Sequence, residues 1–473
     1  MRAPLLPGRV LLLFPVLAAI GCSAPSGAQR GIPAPDSLRA WVTTHDGAQL
    51  LAPLAAVPFG DSSTAAAAIR IDPSLRYQAM EGFGYTLTGG SAALIGRLDA
   101  PRRRALLQEL FGRGPGSIGI NYLRLSIGAS DLDSAVFSYN DLPVGATDTA
   151  LAQFSLAPDR RYLIPLLRDI LEIAPAIRIM ASPWSPPVWM KDNRSSIGGS
   201  LLPQFYGTYA RYFIKYLQGM AAEGIRIDAV TPQNEPLHPG NNPSLLMLPD
   251  QQAAFIRAHL GPALRAAGLQ TKILIYDHNA DRPDYPLSVL ADAGARQFIS
   301  GTAFHLYGGP VEALSAVHNA HPDKGIYFTE QWTGSKGAFG GDLHWHIKNL
   351  IIGAPRNWSR TVLEWNLAND PAHGPHTPGG CTECKGALTI GPGGITRNVS
   401  YYIIGHASKF VGDGSVRIGS TGAIPNVAFQ TPEGRTVLIL QNEDPAVRRV
   451  TVRAGGRDAE LTLPPGSVAT CVW

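Results

Sequence analysis

"IDAVTPQNEP", residues 227–236, begins as a short apolar run and ends with Gln233, Asn234 and Glu235 held between two prolines. Runs of this form, apolar and then abruptly polar, recur along the chain. The others are "EGFGYTLT", "INYLRLSIG", "IRIMASPWS", "KILIYDHN", "GTAFHLYGG", "GIYFTEQWTG" and "RTVLEWNLA". Between them lie amphipathic segments such as "PRRRALLQELFG", "RRYLIPLLRDILEIA" and "QFYGTYARYFIKYLQGMAAEG", with apolar residues at helical spacing, for example Tyr209, Phe213, Tyr216 and Leu217. Eight strand-then-helix units predict an α/β fold, a parallel (β/α)8 TIM barrel over residues 77–411. From residue 412 to residue 473 the pattern changes to short β-rich runs split by Gly, Pro, Asn and Asp, such as "RTVLILQN" and "RRVTVRA". These predict an antiparallel β-sandwich at the barrel's side, completed by strands from residues 36–76.

The ends and the composition narrow the class. Residues 1–22 read as a signal peptide: Arg2 and Arg9 are basic, Val10 to Ile20 are apolar but too short to span a bilayer, and small residues precede Cys22. "AAIGCS" resembles a bacterial lipoprotein signal, with Cys22 the lipidated residue and residues 23–35 a flexible tether. The expectation is an exported protein, lipid-anchored or secreted, that meets the membrane only through that anchor. With 45% hydrophobic and 16% charged residues and a net charge of +4, the chain is globular. Arg102, Arg103 and Arg104 form its densest basic run, which fits a solvated helix face and not a nucleic-acid surface. "CTEC", Cys381 to Cys384, is a lone C-x-x-C, which argues against structural zinc and leaves a short-loop disulfide open. Cys471 reads as a buried thiol.

Active sites of such barrels form at the C-terminal ends of the strands. Glu235 ends the fourth run and Glu330 the seventh, so both can face one mouth. Two facing carboxyls are what glycosidic cleavage needs: one protonated to donate to the leaving oxygen, one ionised to attack. At about 5 Å separation the attack is direct and configuration is retained. Glu235 is assigned as acid/base, needing a raised pKa, and Glu330 as nucleophile. Asn234 can donate to a sugar 2-hydroxyl, and Trp184 and Trp365 suit stacking on a sugar face if exposed, or the core if not. Arg124 either holds Glu330 ionised or forms a structural ion pair; Asp131 either accepts from sugar hydroxyls or caps a loop. Asp277, His278, His305 and Tyr307 complete a polar ring, with Tyr307 able to hydrogen-bond Glu330. There is no H-E-x-x-H, so a metal-dependent hydrolase is not expected, and there is no G-x-S-x-G elbow and no Walker-type loop.

"EGFGYTLTGGSA", "NYLRLSIGASDLD", "ASPWSPPVWMKDN", "VTPQNEP", "YFTEQWTGS", "EWNLANDPAHGP" and "GHASKFV" together resemble glycoside hydrolase family 30. The family includes glucosylceramidase, β-1,6-glucanases and β-xylosidases. The resemblance implies a retaining β-glycosidase without cofactor, acting on a β-linked glucan or glucoside, with a glycolipid as another option. It matches Glu235 to the acid/base and Glu330 to the nucleophile. It matches Arg124, Asp131, Trp184, Asn234 and Trp365 to the sugar subsite, and Asn366 to a polar residue beside it. Gly89, Leu306 and the loop "HGPHTPGGCTECKGALTI" depart from the glucosylceramidase pattern, which leaves the reaction class intact and favours a glucan. A β-xylosidase-type member is one alternative. A sugar-binding protein without catalysis is another, opposed by the retention of both glutamates and Asn234.

Overall fold

In this computed structural model the described residues are residue 1, residues 37–62 and residues 68–473. The expected signal, Cys22 and the tether lie outside them. Among the described residues, eight strands close into a barrel: Gly82–Thr86, Tyr122–Ser126, Arg178–Ser182, Ala229–Val230, Lys272–Asn279, Ile299–His305, Gly325–Glu330 and Ser359–Asn366. Each overlaps one of the eight runs read from the sequence, although Ile299–His305 begins two residues before its run and Ser359–Asn366 one residue before. All neighbours in the ring pair in parallel. Strands covered on both faces carry near-continuous burial, as in Gly82–Thr86 and Gly325–Glu330.

Alternation along these strands sorts side chains between two cores. Tyr122, Met180, Ala229, Leu274, Ala303, Tyr327 and Leu363 fill the inside of the barrel. Their neighbours in sequence, among them Leu123, Ile179, Val230 and Phe304, face outward into the helices. The helix Tyr206–Ala222 meets them with Tyr209, Phe213, Tyr216, Leu217 and Met220. Each such side chain contributes about 1.5–3 kcal/mol by leaving water. The basic run lies on the helix Ala100–Phe111, capped by Asp99, where its arginines pair with Asp99, Asp169 and Glu172 at the surface.

The second sheet system joins both parts of the chain that flank the barrel. Ser37–Thr44 pairs antiparallel with Ser467–Val472, and Ala68–Ala79 pairs antiparallel with Val416–Thr421. One pair departs from the antiparallel expectation: Arg448–Ala454 runs parallel to Ala68–Ala79. That strand also runs to Ala79, so the sheet extends past residue 76. Leu38, Ile69, Ile418, Leu438, Leu440, Val452, Leu461 and Ala469 fill its own core, together with the buried free thiol of Cys471. Cys381 and Cys384 form a disulfide. Among the described residues no helix is long and apolar enough to cross a membrane.

Candidate active site

Two residues beyond the apolar layer inside the barrel, the same strands present polar side chains. Counting on by two gives Arg124 from Tyr122, Ser182 from Met180, Thr231 from Ala229, His305 from Ala303, Thr329 from Tyr327 and Trp365 from Leu363. On the fifth strand the same count gives Tyr276, yet the residue in that layer is Asp277. The register with the sixth strand slips between Tyr276 and His278. Tyr276 and Asp277 take φ values of 73° and 63°, left-handed conformations rare for residues with side chains. This bulge turns Tyr276 out against Tyr285 and Phe304 and Asp277 in.

Asp277 is the centre of the polar layer. Its Oδ2 accepts from Arg124 Nη2 at 2.8 Å, Ser182 Oγ at 2.7 Å and Thr231 Oγ1 at 2.8 Å. Its Oδ1 accepts from Thr329 Oγ1 at 2.7 Å and pairs with His305 Nε2 at 3.1 Å. Burial alone would raise its pKa, but Arg124 and His305 outweigh burial and hold it well below the usual aspartate value. Arg124, itself fully buried, also donates to Glu330 Oε2 at 2.5 Å and to Asn234 Oδ1 at 2.6 Å. Because Arg124 takes the oxygen of Asn234, its amide nitrogen is the end left to the pocket.

Glu235 is fixed by its backbone. It lies at φ 44°, its N–H donates to the Asp277 carbonyl at 2.9 Å, and its carbonyl accepts from His238 N at 2.9 Å. The Asn234 N–H donates to the Pro183 carbonyl, so the fourth strand's end is tied to the third and fifth. The side chain meets His305 Nδ1 at 3.2 Å. Glu330 accepts from Tyr307 OH at 2.9 Å on the oxygen that Arg124 leaves free. One oxygen of each glutamate and a ring nitrogen of His305 all lie within 4.8 Å of one another.

The charges do not follow the simple expectation of a raised Glu235. Burial pushes Glu235 up, but the hydrogen bond and the charge of His305 outweigh burial and bring it below the usual glutamate value. His305 is lifted to about 9: burial opposes its charge, and Glu330, Asp277 and Glu235 outweigh burial. The two shifts run in opposite directions, and both favour the proton of this pair on His305 over Glu235. Glu330 is raised by burial, against the pull of His305 and Arg124. Asp131 is pushed up to about 7 by burial and the charge of Glu330. His278 is pushed down to about 4, chiefly by burial, so it is neutral at pH 7.

A cavity of about 350 Å³ opens above this layer. Of the residues singled out from sequence, Asp131, Trp184, Asn234, Glu235, His278, Tyr307, Glu330 and Trp365 line it. Arg124 and His305 lie beneath and act through the glutamates. Asn366 pairs with Thr86 across the barrel seam and does not line the cavity. Trp184 and Trp365 are not exposed as stacking requires: they are 2% and 4% accessible and stack on each other at 5.3 Å, with the Arg124 guanidinium over both. They line the cavity while almost wholly buried, a wall held by their mutual stacking. Sequence reasoning missed the central role of Asp277, and it missed Trp332, His238, Asn241, Asn279, Cys381 and Cys384 in the lining. Counting on by two from the apolar layer points to Ser182, Thr231 and Thr329; the bulge hides Asp277 from it.

Glu235, His305 and Glu330 are also, among the described residues, the one His/carboxylate cluster with ligand-like spacing. Arg124 already occupies one oxygen of Glu330 and Tyr307 the other, while His305 engages Glu235. These donors are spent on one another, and the set is built for proton transfer.

Two family models match the chain: the glycosyl hydrolase family 30 TIM-barrel domain over residues 80–411 and the glycosyl hydrolase family 30 beta sandwich domain over residues 414–471. The chain is 34% identical over 416 residues to an endo-1,6-β-D-glucanase of Neurospora crassa, covering 84% of this chain and 85% of that one. It is 30% identical over 437 residues to the lysosomal acid glucosylceramidase of Mus musculus, covering 86% and 83%. Among solved structures, the endo-β1,6-glucanase BT3312 superposes with a TM-score of 0.87 at 35% identity, over 92% of this chain and 99% of that one.

Proposed function

The chain belongs to glycosyl hydrolase family 30 and is a glycoside hydrolase that retains configuration, and from that premise we propose that it cleaves β-1,6-linked glucan with Glu330 as nucleophile and Glu235 as acid/base. The observation that carries the residue assignment is the approach of the two carboxyl groups, with oxygens within 4.8 Å across one cavity. That separation suits direct attack and leaves no room for an intervening water.

Arg124 and Tyr307 each donate to Glu330, which keeps a lone pair of an ionised carboxylate ready for the anomeric carbon. As that bond forms, the glycosidic oxygen takes a proton from Glu235. The proton comes along the 3.2 Å hydrogen bond from His305, whose other nitrogen is held by Asp277. In the second step Glu235, again a carboxylate, draws a proton from water as that water displaces Glu330. The preference for a glucan over a glycolipid is supported by the polar groups around Glu235, where the leaving group must lie: His238, Asn241, His278 and Asn279. His278 adds a polar edge to this wall, with its Nδ1 buried and without a hydrogen-bond partner among the described residues.

Parallel assays on β-1,6-glucan, glucosylceramide and xylo-oligosaccharides test the substrate, with the first released anomer read by NMR. Turnover of β-1,6-glucan with the β-anomer appearing first is expected, and Glu330→Gln should lose on the order of 10⁴-fold or more in kcat while staying folded. Near-normal turnover by that variant overturns the assignment. Export and lipidation at Cys22 belong to the same reading; Cys22→Ser should keep turnover and lose membrane association.

A further inference from the structure

The chain that leaves the eighth strand returns across the mouth of the barrel and carries the Cys381–Cys384 disulfide into the cavity lining. On one side it grips the loop after the second strand. Thr377 N–H donates to the Asp131 carbonyl at 2.9 Å, and Cys381 N–H donates to Asp131 Oδ2 at 3.2 Å. Gly380 lies so close that a β-carbon there would collide with the Asp131 carbonyl. On the other side it grips the loop after the seventh strand, which holds Glu330. Gly334 pairs with Cys384 and Thr333 with Lys385, Ser335 N–H donates to the Glu383 carbonyl at 2.9 Å, and Lys336 pairs with Glu383. Both cysteines pack with Leu132, Trp184, Trp332 and Trp365.

Asp131 has little else to orient it. It is 4% accessible, and among the described residues the Cys381 amide is the one group from another residue that donates to its carboxylate. Trp184 and Trp365, by contrast, hold each other. A bridge across three residues closes a small ring and constrains the unfolded chain less than a long one does. Its local effect is larger, because it fixes where the Cys381 N–H points while Cys384 is anchored in the two-stranded ladder.

We propose that the Cys381–Cys384 disulfide is a positioning device for Asp131: by pinning the Cys381 amide on that carboxylate, it sets the grip on a hydroxyl of the bound sugar. The inference rests on the glycosidase reading above and adds to it that Asp131, which lines the cavity, contacts the sugar. A disulfide that only fastened the loop would affect melting and leave substrate recognition alone.

The test uses the full chain with a β-1,6-linked glucotriose as substrate. The bridge is removed in two ways. One is the double variant Cys381→Ala, Cys384→Ala. The other is treatment of the folded protein with a water-soluble phosphine: the disulfide gains two electrons and two protons to give two thiols, and the phosphine becomes its oxide with oxygen from water. The second route holds if the variant fails to fold. Either should raise KM about tenfold and leave kcat within about threefold, the scale expected when a positioned group shifts by a fraction of an ångström. In an Asp131→Ala background the same removal should change KM by less than about twofold, because the group being positioned is gone. An unchanged KM in the wild-type background, or effects of the two changes that multiply in full, overturns the inference alone. If the oxidised wild type turns over no β-glucoside at all, the glycosidase reading falls and takes this inference with it.

Discussion

His305 stands between three carboxylates contributed by different strands, and its charge follows from them. Glu235 faces it from the fourth strand's end, Asp277 from the fifth and Glu330 from the seventh. His278 approaches from the same side, with Nε2 3.9 Å from Glu235. A histidine whose pKa is lifted from 6.5 to about 9 adds stability that is complete below pH 6.5 and is lost as pH climbs through 9. The same proton is the one the acid step uses, so kcat/KM should fall on the alkaline side near pH 9. His305→Gln removes the reservoir and leaves Glu235 to keep its own proton. The alkaline limb should then move down by about one pH unit or more, and the loss of melting temperature between pH 6.5 and 9 should flatten. A pH-rate profile with an unmoved alkaline limb would sink the role given to His305. Glu235 and Glu330 were legible in sequence because each is the carboxylate at which an apolar run ends; Asn234 is the neighbour of the first, and Arg124 is the one charge inside an otherwise apolar run. The direction of the Glu235 shift was not legible, because it depends on a histidine 70 positions away whose distance only the folded barrel sets.

The fifth strand shows why an element can be read correctly while its inward face is not. "KILIYDHN" is plainly a strand, and it spans Lys272–Asn279 as the pattern predicts. Period-two counting then fails at its polar end, since one extra residue enters opposite Ala303 and Phe304. The local signal is weak: aspartate tolerates positive φ, but Tyr276, where the bulge begins, is not a residue that favours it. Contacts from five surrounding side chains hold Asp277 there. The first strand makes the opposite case. Its Gly84 sits against the second strand so closely that a β-carbon would run into the Tyr122 carbonyl, and no side-chain rotation can relieve a clash with backbone. Gly84→Ala should therefore cost about 3 kcal/mol or more. Urea denaturation checks this, and a midpoint within error of the wild type would mean the two strands are free to part.

Barrel and sandwich share a core, and that decides how the whole molecule comes apart. Val427, Phe429, Val437, Ile439, Val468 and Val472 of the sandwich belong to the same buried cluster as the barrel's helices and strands, and Phe83 meets Phe429 edge to face at 6.3 Å. The helix Val399–Ser408, the last of the barrel, sends His406 into the sandwich strands. Thr470 Oγ1 donates to the His406 carbonyl, so it can only accept from the ring's Nδ1–H, at 2.9 Å; Thr43 then donates to Nε2, also at 2.9 Å. This network suits the neutral ring, and burial drives its pKa down to about 3. The unfolded chain takes up a proton at His406 below pH 6.5 that the native state refuses. Stability from this residue is therefore full above pH 6.5 and falls by about 1.4 kcal/mol per pH unit as pH drops toward 3. Because the cluster is continuous, acid should melt barrel and sandwich together. Far-ultraviolet and tryptophan signals should trace one coincident transition, and His406→Gln should shift its acid midpoint downward. Two separated transitions, or an acid midpoint indifferent to residue 406, would show that the sandwich is a detachable companion and that the shared core does not couple it to the barrel.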